Sequence, residues 1–165
     1  MEPDAAQKLL RGPVERDGDL IRGVVGLSLN EFSHSFTVGD HRLCTWCALD
    51  PLFIASAVGG DASTESRDPH DDQPISMEVR GGVVESFSPE DAVVSVVVPA
   101  EDDAFGSAQR VWMMFCDHVG FSSSEASGEA HFAGRRMEVY FLSIPEAYKL
   151  SRITFANLYA AASES

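Results

Sequence analysis

Residues 44–50 read CTWCALD, and they hold two of the three cysteines of the chain. Asp50 follows Cys47 at a spacing of three, so on a helix the thiol and the carboxyl group would share one face. Near a helix start the macrodipole favours thiolate, and we therefore expect the pKa of Cys47 to be lowered. From these residues alone, a redox pair, a metal clip, a catalytic site and simple core packing are all open interpretations.

The other candidate residues are weaker when taken by themselves. Cys116 closes the apolar run VWMMFC (111–116), where a free cysteine usually packs as a small hydrophobe. Cys44 stands at the expected junction of strand and helix and could also pack inward. Asp117 and His118 could be further ligands, although a solvated turn is the favoured interpretation. A single CxxC is a weak zinc signal, because a tetrahedral site needs four ligands.

Composition and charge limit the class of protein. The 165 residues can form one hydrophobic core, and we expect a single domain over 1–165. The 26 acids against 12 bases give a net charge of −14, which repels nucleic acid and anionic lipid. The acidic start MEPDAAQKLL is unlike a signal peptide, and no apolar run approaches the roughly 20 residues of a membrane span. We therefore expect a cytoplasmic protein with reduced cysteines and without nucleic-acid or membrane partners.

Periodicity in the first half of the chain predicts strands followed by a helix. A short helix is expected over 3–10, and a hairpin that turns at Asp17-Gly18 is expected over 14–29. An apolar helical pattern covers 45–58 and ends at a pair of glycines. The polar run 61–73 is rich in turn formers and predicts a surface loop.

The second half alternates strands with helical segments. The expected strands cover 74–89 as a pair around Gly81-Gly82, 91–101 as a β-branched central strand, 108–121 with Cys116 near its end, and 137–144. Residues 122–131 read as a loop or short helix, and Pro145 starts a terminal helix. Because this order lacks regular βαβ alternation, the sequence predicts the α+β class, with small antiparallel or mixed sheets and packed helices.

The segment RLCTWCALDPLF (42–53) resembles the signature of the organomercurial (alkylmercury) lyases. The likeness covers roughly residues 5–160, and its further parts are GLSLNEFSHSFTVGDHRL (26–43), STESRDPHDDQPISMEV (63–79), VWMMFCDHVGFSSS (111–124) and LSIPEAYKLSRITFANL (142–158). The resemblance implies a fold of two ββαβ-like repeats, shared with a copper-accessory protein of the nitrous-oxide reductase system. It also implies that residues 1–27 are a remnant helix and hairpin of the family's N-terminal winged-helix-like domain.

The resemblance implies roles for three residues. Cys47 and Asp50 fall on the family's first catalytic cysteine and its catalytic aspartate, and Cys116 falls on its second cysteine. Two thiolates would hold the mercury of R–Hg⁺ while the acid protonates the carbon, giving a hydrocarbon and Hg(II) on the same groups. The implied substrate is a small organomercurial, with no cofactor, external thiols for product release and a mercuric reductase as acceptor. Since one mercury must touch both thiolates, their sulfurs should lie within roughly 6 Å of each other.

The sequence departs from the family pattern in ways that support two alternatives. Cys44 stands where the family usually has an aromatic residue, which adds a further candidate metal ligand. Pro51 follows the acid directly and biases Asp50 away from helical dihedrals. One alternative is a soft-metal (mercury or copper) binding and delivery protein with Cys44 and His118 as extra ligands. The other is a family member recruited to another reaction, such as a step of secondary metabolism.

Overall fold

Two antiparallel sheets and three helices, together with helical residues at 110, 113 and 114, form most of the part of the chain that the structure describes. The computed structural model describes residues 14–98, 110 and 113–163, and at 58 and 154–163 it describes the backbone alone. The strands are β1 (Val14–Asp17), β2 (Leu20–Val24), β3 (Leu27–Ser28), β4 (His34–Val38), β5 (His41–Thr45), β6 (Ala62–Arg67), β7 (Pro74–Arg80), β8 (Val83–Ser88), β9 (Val93–Val97), β10 (Phe121–Ser122) and β11 (Val139–Ser143). The helices are α1 (Asp50–Val58), α2 (Glu125–Phe132) and α3 (Ile144–Ser163), and Cys116–His118 form a 3₁₀ turn.

The strand order confirms the predicted α+β class. The larger sheet has the order β1-β2-β3-β5-β4-β6-β7-β8, and the smaller sheet has the order β10-β9-β11. Each pairing is antiparallel. Among the described residues, no helix has both the length and the apolar character required to cross a bilayer.

Two units of the chain have the same connectivity. β4-β5-α1-β6 and β9-β10-α2-β11 each run strand, strand, helix, strand. In each unit the first strand lies between the other two, which gives the orders β5-β4-β6 and β10-β9-β11. This connectivity agrees with the two ββαβ-like repeats that the family resemblance implies.

One hydrophobic cluster joins both sheets and the helices. From the first repeat it takes Phe36 of β4 and Leu52 of α1, and from the second it takes Val94 of β9 and Phe121 of β10, each at most 1% exposed. Full burial of side chains of this size stabilises a fold by about 1.5–3 kcal/mol each. The packed interface between the repeats is therefore also the place where a site formed by both would be held rigidly.

Several predicted elements are confirmed. β7 and β8 form a hairpin around Gly81-Gly82, with Arg80 opposite Val83, and β9 is the central strand of its sheet. The segment 122–131 includes all but the last residue of helix α2, and α3 begins at Ile144, directly before Pro145. The hairpin predicted over 14–29 is present, but its two turn residues are Gly18 and Asp19, because Asp17 already pairs with Leu20. The helix predicted over 3–10 lies outside the described residues.

The prediction of a surface loop over 61–73 is wrong for its first half. Residues Ala62–Arg67 form β6, which lies between β4 and β7 in the larger sheet. Ala62, Thr64 and Ser66 point to the buried side. Inward residues this small and polar give no hydrophobic alternation, so the period-2 signal of a buried strand is absent from the sequence.

The strand predicted over 108–121 is also wrong. Met113 and Met114 are helical, and Cys116–His118 form a 3₁₀ turn, so that within the described part of this segment only Phe121 enters a strand. Periodicity alone does not distinguish strand from buried helix in a short apolar run. Cys116 therefore lies in a turn before β10 and not within a strand.

Helix α1 starts at Asp50 and not at Thr45, as the apolar pattern predicted. Leu49 is its N-cap, Pro51 occupies the first turn, and Gly59 ends the helix at a φ of 64°. Proline fits the first turn because its missing N–H would have no helical partner there. Cys47 therefore lies in the turn before the helix and not on its face.

Candidate active site

The segment that carries Cys47 is fixed at both ends. Thr45 ends β5, and its hydroxyl donates to the carbonyl of Cys47 at 3.2 Å. The N–H of Ala48 donates to the carbonyl of Val119 at 3.0 Å. This second bond links the Cys47 turn directly to the segment that follows Cys116.

Asp50 faces back toward Cys47. Its carboxylate accepts the backbone N–H of Cys47 at 2.8 Å, and the residue is 7% exposed. The predicted spacing of three thus brings the two residues together, although the contact runs through the Cys47 backbone across a turn and not along one helix face. Pro51 leaves this geometry intact, since it lies in the first turn of α1.

Cys116 reaches the same place from the second repeat. The 3₁₀ turn that holds it is closed by the N–H of Val119, which donates to the carbonyl of Cys116 at 3.2 Å. One ligand atom each from Cys47, Asp50 and Cys116 lies within 4.8 Å of the other two. The sulfurs therefore satisfy the separation of roughly 6 Å that a shared metal requires. The three side chains meet as expected, while the role of each in a reaction stays a prediction.

Burial controls the charge of this cluster. It raises the pKa of the Asp50 carboxyl to about 7, and hydrogen bonds from Cys47 and the Trp46 backbone offset only part of that effect. Burial also raises the pKa of the Cys47 thiol, as do the neighbouring Cys116 and Asp50. The expectation that a helix start lowers the pKa of Cys47 is wrong, because the thiol is buried before the helix begins. Because the raised pKa keeps the Cys47 thiol protonated, a soft cation that binds this sulfur would displace the thiol proton.

Cys44 and His118, the candidate extra ligands, do not belong to the cluster. Cys44 lies in β5 opposite Ser28 and Ser35, and its partly exposed side chain lines a separate groove of about 740 Å³. His118 lines a larger cavity of about 1440 Å³, and its Nδ1 is buried without a hydrogen-bond partner among the described residues. Successive side chains of a strand point to opposite faces, so Cys44 and Thr45 face different sides of β5. Cys47 follows in the turn after Thr45 and does not share a face with Cys44.

Comparison with known proteins identifies the family. The model of the alkylmercury lyase family matches residues 27–156. The chain belongs to the alkylmercury lyase family. It is 32% identical over 133 residues to an alkylmercury lyase of Bacillus cereus, which covers 78% of this chain and 56% of that protein. An alkylmercury lyase of Pseudomonas putida is 30% identical over 129 residues, with 78% of this chain and 58% of that protein covered.

The fold comparison agrees with this membership. A crystal structure of the mercury-bound form of MerB2 superposes with a TM-score of 0.74 at 22% identity, covering 94% of this chain and 71% of that one. At that identity the likeness concerns the fold. The chain spans between half and two thirds of the length of the curated alkylmercury lyases it matches.

Strands that precede the alkylmercury lyase match support the Cys47 turn. Glu15 of β1 accepts the indole N–H of Trp46 at 3.1 Å and the hydroxyl of Ser28 at 2.6 Å, and it also accepts the amide N–H of Asn30. Trp46 is adjacent to Cys47 and is 6% exposed. Glu15 was not among the residues that the sequence singled out, because nothing local marks a strand glutamate as the partner of an indole 31 positions away.

The turn between β2 and β3 lies against Asp50 itself. The carbonyl of Gly26 accepts the N–H of Trp46 at 2.9 Å. A Cβ added to Gly26 would lie 2.5 Å from both Cγ and Oδ1 of Asp50. Sequence reasoning missed this contact as well, and the available signal was small: two glycines that flank Val24 and Val25 in RGVVG (22–26).

Proposed function

We propose that the protein is an organomercurial lyase that cleaves a carbon–mercury bond by protonolysis. The observation that supports this most is the convergence of two buried thiols and a buried carboxyl group, with ligand atoms within 4.8 Å of one another. In this proposal Cys47 and Cys116 bind the mercury of R–Hg⁺, and Asp50 carries the proton to the carbon.

The proposed steps balance in atoms and charge. An organomercurial R–Hg–X first exchanges X for one thiolate, and the thiol proton leaves with X as HX. The second thiol then binds mercury and transfers its proton to Asp50. Asp50 passes that proton to the carbon as the carbon–mercury bond breaks, which gives R–H and Hg²⁺ held by two thiolates.

Each residue type suits its proposed step. Thiolates are soft ligands and bind soft ions such as mercury in preference to hard ones. A carbanion is too basic to leave unassisted, so a proton donor must lie beside the carbon. Burial keeps the pKa of Asp50 at about 7, so near neutral pH the carboxyl group can both accept and donate a proton. The low exposure of all three groups would also keep water from competing for the reacting atoms.

The larger cavity supports a direction of approach. Of the three site residues, Cys116 is the one that lies in the wall of this cavity, which is also lined by Phe32, Trp46 and Phe121. An organomercurial that enters there would meet Cys116 before the more deeply buried Cys47. The aromatic rings offer an apolar surface for the organic group.

We also propose the cellular setting that the family resemblance implies. Residues 1–165 would act as one catalytic domain in the cytoplasm on a small organomercurial, without an organic cofactor. External thiols would remove the product ion, and a mercuric reductase would accept it. The alternative of a soft-metal carrier with three thiols is weakened by the position of Cys44 outside the cluster.

Release of benzene from phenylmercury in excess thiol tests the proposal. Asp50→Asn keeps both thiols and removes the transferable proton, so we expect retained mercury binding and a fall in benzene of about 10²- to 10⁴-fold. Asp40→Asn, an exposed acid between β4 and β5, is the matched control and should match the wild type. A wild type that binds phenylmercury and releases no benzene would support a carrier, and equal release from Asp50→Asn would exclude the proposed role of Asp50.

A further inference from the structure

We infer that the Val25–Gly26 turn is a positioning element that holds the Asp50 carboxyl group in place for proton transfer and is not needed for mercury binding. The inference rests on the proposed function. It concerns residues that precede the family match, which begins at residue 27.

Gly26 leaves no space between the turn and the carboxyl group. The residue is buried and has a φ of +91°. A Cβ built there would lie 2.5 Å from Cγ and Oδ1 of Asp50 and 3.0 Å from its Cβ. Real Cβ atoms do not approach other atoms at 2.5 Å, so any larger residue at 26 would have to displace the Asp50 side chain. The glycine is therefore required by this contact as well as by its backbone conformation.

The Asp50 carboxyl group is held from two sides. The N–H of Cys47 donates to Oδ2 at 2.8 Å, while Gly26 lies against Oδ1. Rotation of the carboxyl group would break the first contact, and movement toward the turn would be blocked by the second. Gly26 and Cys47 together thus define one orientation of the carboxyl group relative to the two sulfurs.

The turn is itself fixed in an unusual conformation. Val25 has a φ of +47°, which is rare for a β-branched residue and costs of order 1–3 kcal/mol. The turn is bounded by the Val24–Leu27 pair of β2 and β3, and the Gly26 carbonyl accepts the Trp46 N–H. Backbone strain of this kind persists only where the surrounding structure enforces it. Here the strained turn packs against Asp50, the proposed proton donor.

Positioning should affect the two parts of the reaction differently. Proton transfer to carbon depends on a narrow range of distance and angle, and a displacement of about 1 Å can reduce the rate by about 10². Binding of mercury by Cys47 and Cys116 depends on the sulfur atoms, whereas the three nearest atoms to a Cβ at Gly26 all belong to Asp50. A disturbed turn should therefore lower kcat while leaving KM and mercury binding nearly unchanged.

Gly26→Ala, compared with Gly134→Ala, tests this separation. Gly134 has a φ of +78°, and a Cβ added there meets no atom within 4 Å, so it imposes similar backbone strain without a contact. For Gly26→Ala we expect kcat for benzene release from phenylmercury to fall by about 10². KM and the stoichiometry of Hg²⁺ binding should stay within a few-fold of the wild type. A Gly26→Ala variant with the kcat of Gly134→Ala would overturn the inference, as would loss of Hg²⁺ binding.

A second measurement covers the case in which Gly26→Ala folds poorly. Asp50→Ala removes Cγ and Oδ1, so Gly26→Ala should destabilise the Asp50→Ala protein much less than it destabilises the wild type in denaturant unfolding. Equal destabilisation in both backgrounds, or a double variant that does not fold, would show that the turn does not act through Asp50. This unfolding cycle needs no turnover. A wild type that releases no benzene would contradict the proposed function. The unfolding measurements would then still test whether the turn acts through Asp50.

Discussion

Cys116 shares a site with Cys47, while Cys44 lines a separate groove, although Cys44 is far closer to Cys47 in sequence. Cys116→Ser replaces a soft thiolate with a hard hydroxyl. We expect this variant to lose benzene release and to lose bound Hg²⁺ to an excess of competing thiol, because one thiolate remains. Cys44→Ser is the matched control and should retain both properties within a few-fold. A carrier that used Cys44 would show the opposite pattern, with weaker Hg²⁺ retention in Cys44→Ser.

Two buried groups give the stability of the apo-protein opposite dependences on pH. Burial lowers the pKa of His34, which contacts the Ser66 hydroxyl at 2.7 Å, from 6.5 to about 4. Its stabilisation is present above pH 6.5 and is lost as the pH falls through about 4, because the unfolded chain binds the proton first. Burial raises the pKa of Asp50 from 3.8 to about 7, so its stabilisation is present below pH 3.8 and is lost as the pH rises through about 7.

Single substitutions should separate these two contributions. Between pH 4 and 6.5, Asp50→Asn should make the free energy of unfolding rise more steeply with pH than in the wild type. His34→Gln should make it rise less steeply or fall. Each slope should change by up to about 1.4 kcal/mol per pH unit. Urea unfolding at several pH values measures this, and curves parallel to the wild type for either variant would contradict the corresponding pKa shift.

At the scale of elements, the end of β6 connects the two repeats. Asp68 follows β6, is 2% exposed, and accepts the N–H of Ser123 at 2.5 Å and that of His70 at 2.8 Å. The segment 61–73, which the sequence predicted to be a surface loop, therefore contains a contact between the repeats. Asp68→Ala leaves two N–H groups without their acceptor and should destabilise the fold by about 1–3 kcal/mol for each that stays buried.

Asp72→Ala supplies the comparison for this segment. Asp72 is exposed, and its carboxylate pairs with Arg67 at 3.0 Å on the surface. Loss of an exposed ion pair costs about 0–1 kcal/mol. Thermal or urea unfolding of both variants should rank Asp68→Ala well below Asp72→Ala. Similar stabilities would mean that Asp68 does not connect the repeats in the way the hydrogen bonds indicate.

Local chemistry explains which elements could be predicted from the sequence. The β7–β8 hairpin shows alternation around two glycines, and α1 ends at a left-handed glycine, so both signals lie within the element itself. β6 gives no such signal, because its inward residues Thr64 and Ser66 are small and polar. The turn at Cys116 is hidden by an apolar run that suits a strand equally well. In both failures, tertiary packing and not local preference decides the structure.

The residues of the candidate site also differ in whether the sequence alone could predict them. The pairing of Cys47 with Asp50 could be inferred from spacing, whereas the addition of Cys116 required the family resemblance, since the two repeats must first pack together. Gly26 could not be inferred, because its role is a contact with a carboxyl group brought close by the fold. Residues that act through tertiary contact leave little trace in a single sequence.

At the scale of the whole molecule, charge gives a prediction about partners. With a net charge of −14, the bases of the N-terminal segment, Lys8, Arg11, Arg16 and Arg22, are too few to neutralise a phosphate backbone. We expect no gel shift of duplex DNA at physiological salt and sub-micromolar protein. A shift at sub-micromolar protein would contradict this expectation.

The two thiols belong to segments about 70 residues apart, one in each repeat. A mercury ion bound by both thiolates would cross-link the two segments and close a loop of that length in the chain. A permanent cross-link over such a loop removes conformational entropy from the unfolded chain worth about 4 kcal/mol, by the relation used for disulfides. In polymer terms, the product of the proposed reaction would be a temporary ring closure, and the protein would be hardest to unfold between bond cleavage and the arrival of the thiol that removes the ion.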